Sequence, residues 1–186
     1  MGENRGSLAG IAIISIIIGA GLGFGLTWLV QPSGSVLKTQ YLSVRSLAAK
    51  NDNDLTKTVV PGTAMNISTG GLSYLVIDFS GSLGYHLDAS FTSVTRFNIT
   101  LEVDNIVVAT HIASWYHGSA SGTMEEGSIG VSMRWVSGTM AAGVHDVKLK
   151  WVSTIDATGA NQIYFSTPTR NTTRTITVQE IRSGLF

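Results

Sequence analysis

Residues 96–115 read Arg-Phe-Asn-Ile-Thr-Leu-Glu-Val-Asp-Asn-Ile-Val-Val-Ala-Thr-His-Ile-Ala-Ser-Trp. Phe97, Ile99, Leu101 and Val103 alternate with Arg96, Asn98, Thr100 and Glu102. Successive side chains of a strand point to opposite faces, so this period of two sends the apolar set to a core and its neighbours to water. Asp104-Asn105 is a pair suited to a tight hairpin turn, and residues 106–115 read as the returning strand.

The same alternation recurs on both sides of this hairpin. Leu75, Ile77 and Phe79 alternate with Tyr74, Val76 and Asp78, and Val131, Met133 and Trp135 form another apolar face. Ala142-Gly143 turns the chain into Val147, Leu149 and Trp151, set against Asp146, Lys148 and Lys150. Residues 163–165 and 173–181 supply the last strand signals. Beyond residue 50 no helical period is sustained. About eight strands at this spacing predict an all-β, antiparallel β-sandwich or jelly roll.

The N-terminus is of another kind. Residues 8–30 carry no charge and run through Ile13-Ile14, Ser15 and Ile16-Ile17-Ile18. As a helix at ~1.5 Å per residue this stretch reaches about 34 Å, enough for a ~30 Å hydrocarbon core. Trp28 stands where an interfacial anchor belongs, and Pro32 and Gly34 end the helix. The expected layout is a cytoplasmic head (1–7), a transmembrane helix (8–30), a stalk (31–54) and an extracytoplasmic sandwich (55–186). Arg5 and a short head favour the N-terminus inside. Sequons at Asn66, Asn98 and Asn171 fit an exposed outer domain and are its candidate glycosylation sites. Ser15, Gly19 and Gly23 recur every four positions, with Gly21 and Gly25 alongside, a stripe that lets helix backbones approach within lipid. The partners predicted are therefore the lipid bilayer and a homo-oligomer.

Two resemblances add to this reading. Arg5-Gly6 before an apolar helix resembles the class III signal peptides of archaeal pilins and archaellins, which implies a cut at Gly6 and a helix-cored filament. The strands at 97–104, 141–151 and 174–181 together resemble trimeric jelly-roll heads of the complement globular-head and tumour-necrosis-factor-like kind. That likeness implies trimerisation and a binding or structural role without catalysis.

Composition limits the chemistry. Net charge is zero and 13% of residues are charged, against ~25% in an average domain, so no basic stripe exists to neutralise a nucleic acid. The absence of cysteine excludes disulfides, thiolate metal sites and cysteine nucleophiles. His86, His111, His117 and His145 show no H-x-H or H-E-x-x-H spacing and read as surface or core histidines. Asp52 and Asp54 lack the further oxygen ligands of a calcium loop, and Glu125-Glu126 reads as a solvated loop tip. Ser35-Val-Leu-Lys38 matches S-x-x-K without the companion motifs of serine acyl-enzymes. No catalytic residue, metal or cofactor is expected. Tyr85, Trp115 and Tyr116, near strand ends, are the candidates for a surface that takes an extracellular glycan or protein. The expected function is that of a membrane-anchored cell-surface module for structure, adhesion or binding.

Overall fold

In the computed structural model the described residues are 34–88, 94–116, 124–154, 161–166 and 172–183. The expected transmembrane helix and its stripe at Ser15, Gly19, Gly21, Gly23 and Gly25 lie outside them, as do Asn171 and His117. Among the described residues no helix is long and apolar enough to cross a membrane.

The described chain is all strand and connection. In order it forms β1 (Val36–Val44), β2 (Ala48–Asn51), β3 (Thr58–Val59), β4 (Met65–Thr69), β5 (Ser73–Leu87) and β6 (Val94–Val103). Then follow β7 (Ile106–Tyr116), β8 (Glu125–Val136), β9 (Gly143–Ser153), β10 (Gln162–Phe165) and β11 (Arg174–Arg182). Every pairing is antiparallel. One sheet is centred on the long β5, which pairs with β8 along one edge and with β11 and then β10 along the other. β1 extends it beyond β11, and β2 beyond β10. The second sheet runs β3-β9-β6-β7, with β4 also on β9.

The alternating residues meet between the sheets as expected. Phe97, Ile99 and Leu101 on β6 and Val147, Leu149 and Trp151 on β9 face Leu75, Ile77 and Phe79 on β5 and Ile176 and Val178 on β11. Trp151 stacks on Phe165 at 5.8 Å between centroids, and Phe165 meets Phe79 edge-on at 6.0 Å. The hairpin of residues 94–116 closes through a two-residue turn with φ of 51° at Asp104 and 67° at Asn105. Those are the signs of a type I′ turn, whose twist matches that of the strands it joins. Beyond it the ladder slips between Leu101 and Glu102, a bulge that gives β7 one extra residue.

The sandwich begins earlier than the sequence predicts. Residues 31–54, expected as a stalk, supply β1 and β2, and Gly34 N–H already donates to the Arg182 carbonyl at 2.9 Å. β1 is an edge strand, partly exposed on both faces, so its apolar alternation is blurred. Buried Arg174 holds the following crossover, donating to the carbonyls of Ser46 (2.8 Å) and Pro61 (2.6 Å) with its guanidinium over the Phe165 ring. Burial pulls the Arg174 pKa down, although a guanidinium stays charged at neutral pH. Across the second sheet's outer face, Lys57 and Lys150 both bind Glu102 at 2.5 and 2.8 Å. Burial pushes that carboxyl up, and the two lysines more than reverse the effect.

Candidate functional site

Register gives the sandwich two distinct ends. At the first, the entry end, residues 34–36 join β1, β5 begins beside the end of β11, and the β6–β7 turn meets the start of β9. At the far end β5 finishes against the start of β8, and the connections from β5 to β6, β7 to β8 and β9 to β10 depart.

The entry end holds a polar clasp that the sequence did not announce. His145 faces inward from β9, and its Nδ1 lies 2.7 Å from Asp104 Oδ2 in the hairpin turn. Its Nε2 lies 3.1 Å from Thr69 Oγ1 and 3.2 Å from the Ala141 carbonyl. Asp104 Oδ1 accepts the Asp146 N–H at 2.9 Å. Close by, buried Glu180 on β11 accepts from Ser73 Oγ (2.7 Å) and Gly70 N–H (2.9 Å), tying the β4–β5 connection to the opposite sheet.

Hydroxyl, imidazole and carboxylate in sequence resemble a nucleophile relay, but the electrostatics are those of a clasp. The bond to Asp104 raises the His145 pKa against the opposing effect of burial, and the charges of Asp104 and Glu180 raise it further. Nε2 faces the Ala141 carbonyl, which can only accept, so that nitrogen carries a hydrogen and is not placed to take one from Thr69. Thr69 is itself buried, and its hydroxyl donates to the Ala141 carbonyl at 2.7 Å. For Asp104 burial acts upward, and the bonds from His145 and the Asp146 N–H outweigh it, so the carboxyl sits below its ordinary value. A largely apolar cavity of about 240 Å³, lined by Val103, Ile106, Val108, Trp135 and Met140, opens beside Asp104. It is smaller than the ~300–1,000 Å³ of typical small-molecule sites.

The far end carries the aromatic residues singled out above. Tyr85 of β5 and Trp115 of β7 belong to opposite sheets, and their rings meet between them at 4.8 Å and 42°. Trp115 also packs edge-on against Phe97 at 6.4 Å. The Tyr85 ring runs across Gly127, where any Cβ would collide with it, so glycine is required there by close approach. Tyr116, one residue on from Trp115, points to the other side of β7 and is 71% exposed. The three aromatics are therefore not one platform: two brace the sheets from within and one stands outside.

Glu125 and Glu126, expected at a loop tip, open β8 opposite Leu87 and His86. Glu126 Oε1 lies 3.1 Å from His86 Nδ1, and the Tyr85 hydroxyl donates to Glu125 at 3.3 Å. Two carboxylates, an imidazole and a phenol thus line one rim. Gln162 and Asn51, bonded at 2.7 Å, border it on β10 and β2.

No protein-family model matches the chain, and no curated protein matches it in sequence. Among solved structures it is similar to the globular domain of a zebrafish complement 1qA protein, at 10% identity and TM-score 0.36, over 80% of this chain and 96% of that one. It is similar to the CBM36-1 domain of a multidomain xylanase from the hindgut metagenome of Trinervitermes trinervoides, at 10% and 0.30, over 80% and 99%. Dimeric latent PorU from Porphyromonas gingivalis matches at 10% and 0.35, over 82% of this chain, which spans only 14% of PorU.

The remaining expected sites separate by exposure. Asn66 is exposed on β4, which pairs with β9 alone among the described strands. Asn98 is half-buried on β6 between β7 and β9, with Oδ1 unpartnered among the described residues. Buried Asp52 accepts through Oδ2 from Asn161 Nδ2 at 2.6 Å, its Oδ1 having no partner among the described residues, and Asp54 accepts from Lys50 at 2.6 Å. His111 faces inward opposite Ile99, its Nε2 buried without a partner among the described residues. No group of three or more metal-binding side chains occurs among the described residues.

Proposed function

We propose that this chain is a membrane-anchored, non-catalytic surface module. In this reading residues 8–30 span the bilayer, the N-terminus is cytoplasmic and the sandwich stands outside. The small-residue stripe from Ser15 to Gly25 brings copies together, and the far end binds a glycan or protein. The observation that carries the reading is the polarity of the sandwich. The apolar segment leads into the entry end, while Tyr116, His86, Glu125, Glu126 and three connections occupy the opposite one. An exposed aromatic ring and carboxylates at one end of a domain are groups suited to sugar hydroxyls and polar peptides. A non-catalytic role is supported by the commitment of Thr69 and His145 to the buried clasp.

The test is to isolate the native protein from membranes, determine its intact mass and N-terminal peptide, and digest sealed vesicles from outside. A retained N-terminus and a sandwich open to external protease support the proposal. Loss of residues 1–6 with recovery of polymers supports a filament subunit instead. Glycan and protein arrays then address the far end, where Tyr116→Ala is expected to weaken binding about tenfold or more. Unchanged binding by that variant places recognition elsewhere.

A further inference from the structure

The entry end exposes apolar side chains where a soluble domain usually places polar ones. Leu72 is 63% exposed in the β4–β5 connection, Ile106 67% just after the β6–β7 turn, and Val144 66% at the start of β9. These three come from separate connections that converge on the same end. Leu72 is fixed in position: its carbonyl accepts the Ser183 N–H at 3.0 Å, and its φ is 51°. A leucine in the left-handed region is uncommon, and such strain persists only where the surroundings impose it. The two part-exposed carboxylates here are paired, Asp104 with His145 and Asp146 with Lys148.

We infer that this end of the sandwich docks onto the lipid surface, with Leu72, Ile106 and Val144 seated in the headgroup region. The inference rests on the anchored reading above and adds a second contact with the bilayer. Chain length argues for it. Gly34 is already bonded to Arg182, so only residues 31–33 separate the 8–30 span from the sandwich. From residue 30 to residue 34 a fully extended chain covers at most about 14 Å. A headgroup layer is itself about 5–7 Å deep, so the entry end has little room to stand away from the membrane. Exposed apolar tips beside paired acids suit that position, since polar tips there would remain hydrated.

The chain has no cysteine, so single labels can be placed cleanly on exposed positions. Full-length protein carrying Leu72→Cys, Ile106→Cys or Glu126→Cys is labelled with an environment-sensitive fluorophore and reconstituted into phosphatidylcholine vesicles. Flotation of the vesicles first reads anchoring. Docking predicts blue-shifted emission at 72 and 106, and about twofold or greater loss of intensity with quencher-bearing lipids. Aqueous iodide is expected to quench only the label at 126. If the protein floats but labels at 72 and 106 behave like the one at 126, docking is overturned while the anchor stands. If the protein does not float, both readings fail together.

Discussion

The two ends of the sandwich are held by different physics. At the entry end the contacts are charged and directional: the Asp104–His145–Thr69 clasp fastens β4, β9 and the hairpin turn within the second sheet, and Glu180 of the first sheet accepts from Gly70 in the connection that leaves the second. At the far end Tyr85 and Trp115 join the sheets by ring contact, and the polar groups of Glu125, Glu126 and His86 sit outside that contact. A hydrogen-bonded buried network loses much when one member is removed, because its partners stay desolvated. An aromatic brace has no such all-or-none requirement. The end nearest the proposed anchor is thus built to one geometry, and the opposite end can vary its polar surface at little cost to the fold.

The sharpest way to break this contrast is Asp104→Ala. It strips His145 Nδ1 and the Asp146 N–H of their acceptor and leaves alanine at a φ of 51°. A loss of about 2–3 kcal/mol is expected by urea unfolding. A loss under about 0.5 kcal/mol, in the range of an ordinary surface change, would mean that no clasp operates.

A smaller effect is expected at the far end. Gly127→Ala drives a methyl into the Tyr85 ring and forces it off Trp115. The cost is about 1–2 kcal/mol, read together with a change in tryptophan fluorescence. Unaltered fluorescence would show that the ring contact does not brace the sheets.

The smallest is a pH dependence confined to the entry end. His145 has a raised pKa, so its contribution is full below the ordinary value of 6.5 and is lost as pH rises through the folded value. Asp104 has a lowered one, so its contribution is present above 3.8 and is lost as pH falls through the folded value. Wild-type stability therefore carries a component that declines on the alkaline side of 6.5 and is absent from His145→Gln. Because Asp104 is nearly half exposed, that component stays under about 1 kcal/mol. Parallel pH profiles for the two proteins would remove His145 as its source.

Local features of this fold were legible before the structure, and long-range ones were not. The strands around Phe97–Val103 and Val147–Trp151 follow from alternation alone, and Asp104-Asn105 announces its own turn. β1 escaped because an edge strand tied to β11 has too little buried face to impose a period. Glu125 and Glu126 were misplaced because strand propensity gives no sign that β5 runs far enough to pair with them. Tyr85 and Trp115 were recognised as strand-end aromatics, but their meeting depends on how the sheets stack. His145 has no ligand at metal-site or catalytic spacing nearby in the sequence. Its partner lies 41 residues away, brought opposite by the β6–β9 register. The only local hint is a histidine on the inward parity of a strand, a position where a polar ring needs a partner.

The pairing of β1 with β11 also decides how the molecule bears load. β1 leaves the entry end and runs lengthwise along the sandwich, paired with β11 from Lys38–Glu180 to Val44–Arg174. Tension applied at residue 34 and resisted at the far end therefore pulls β1 along its own axis. The ladder is strained in shear, with its rungs sharing the force, rather than peeled apart rung by rung. Rupture under force is governed by an unfolding rate rather than by equilibrium stability. A pull along this axis must accordingly break many bonds together before the first strand comes free.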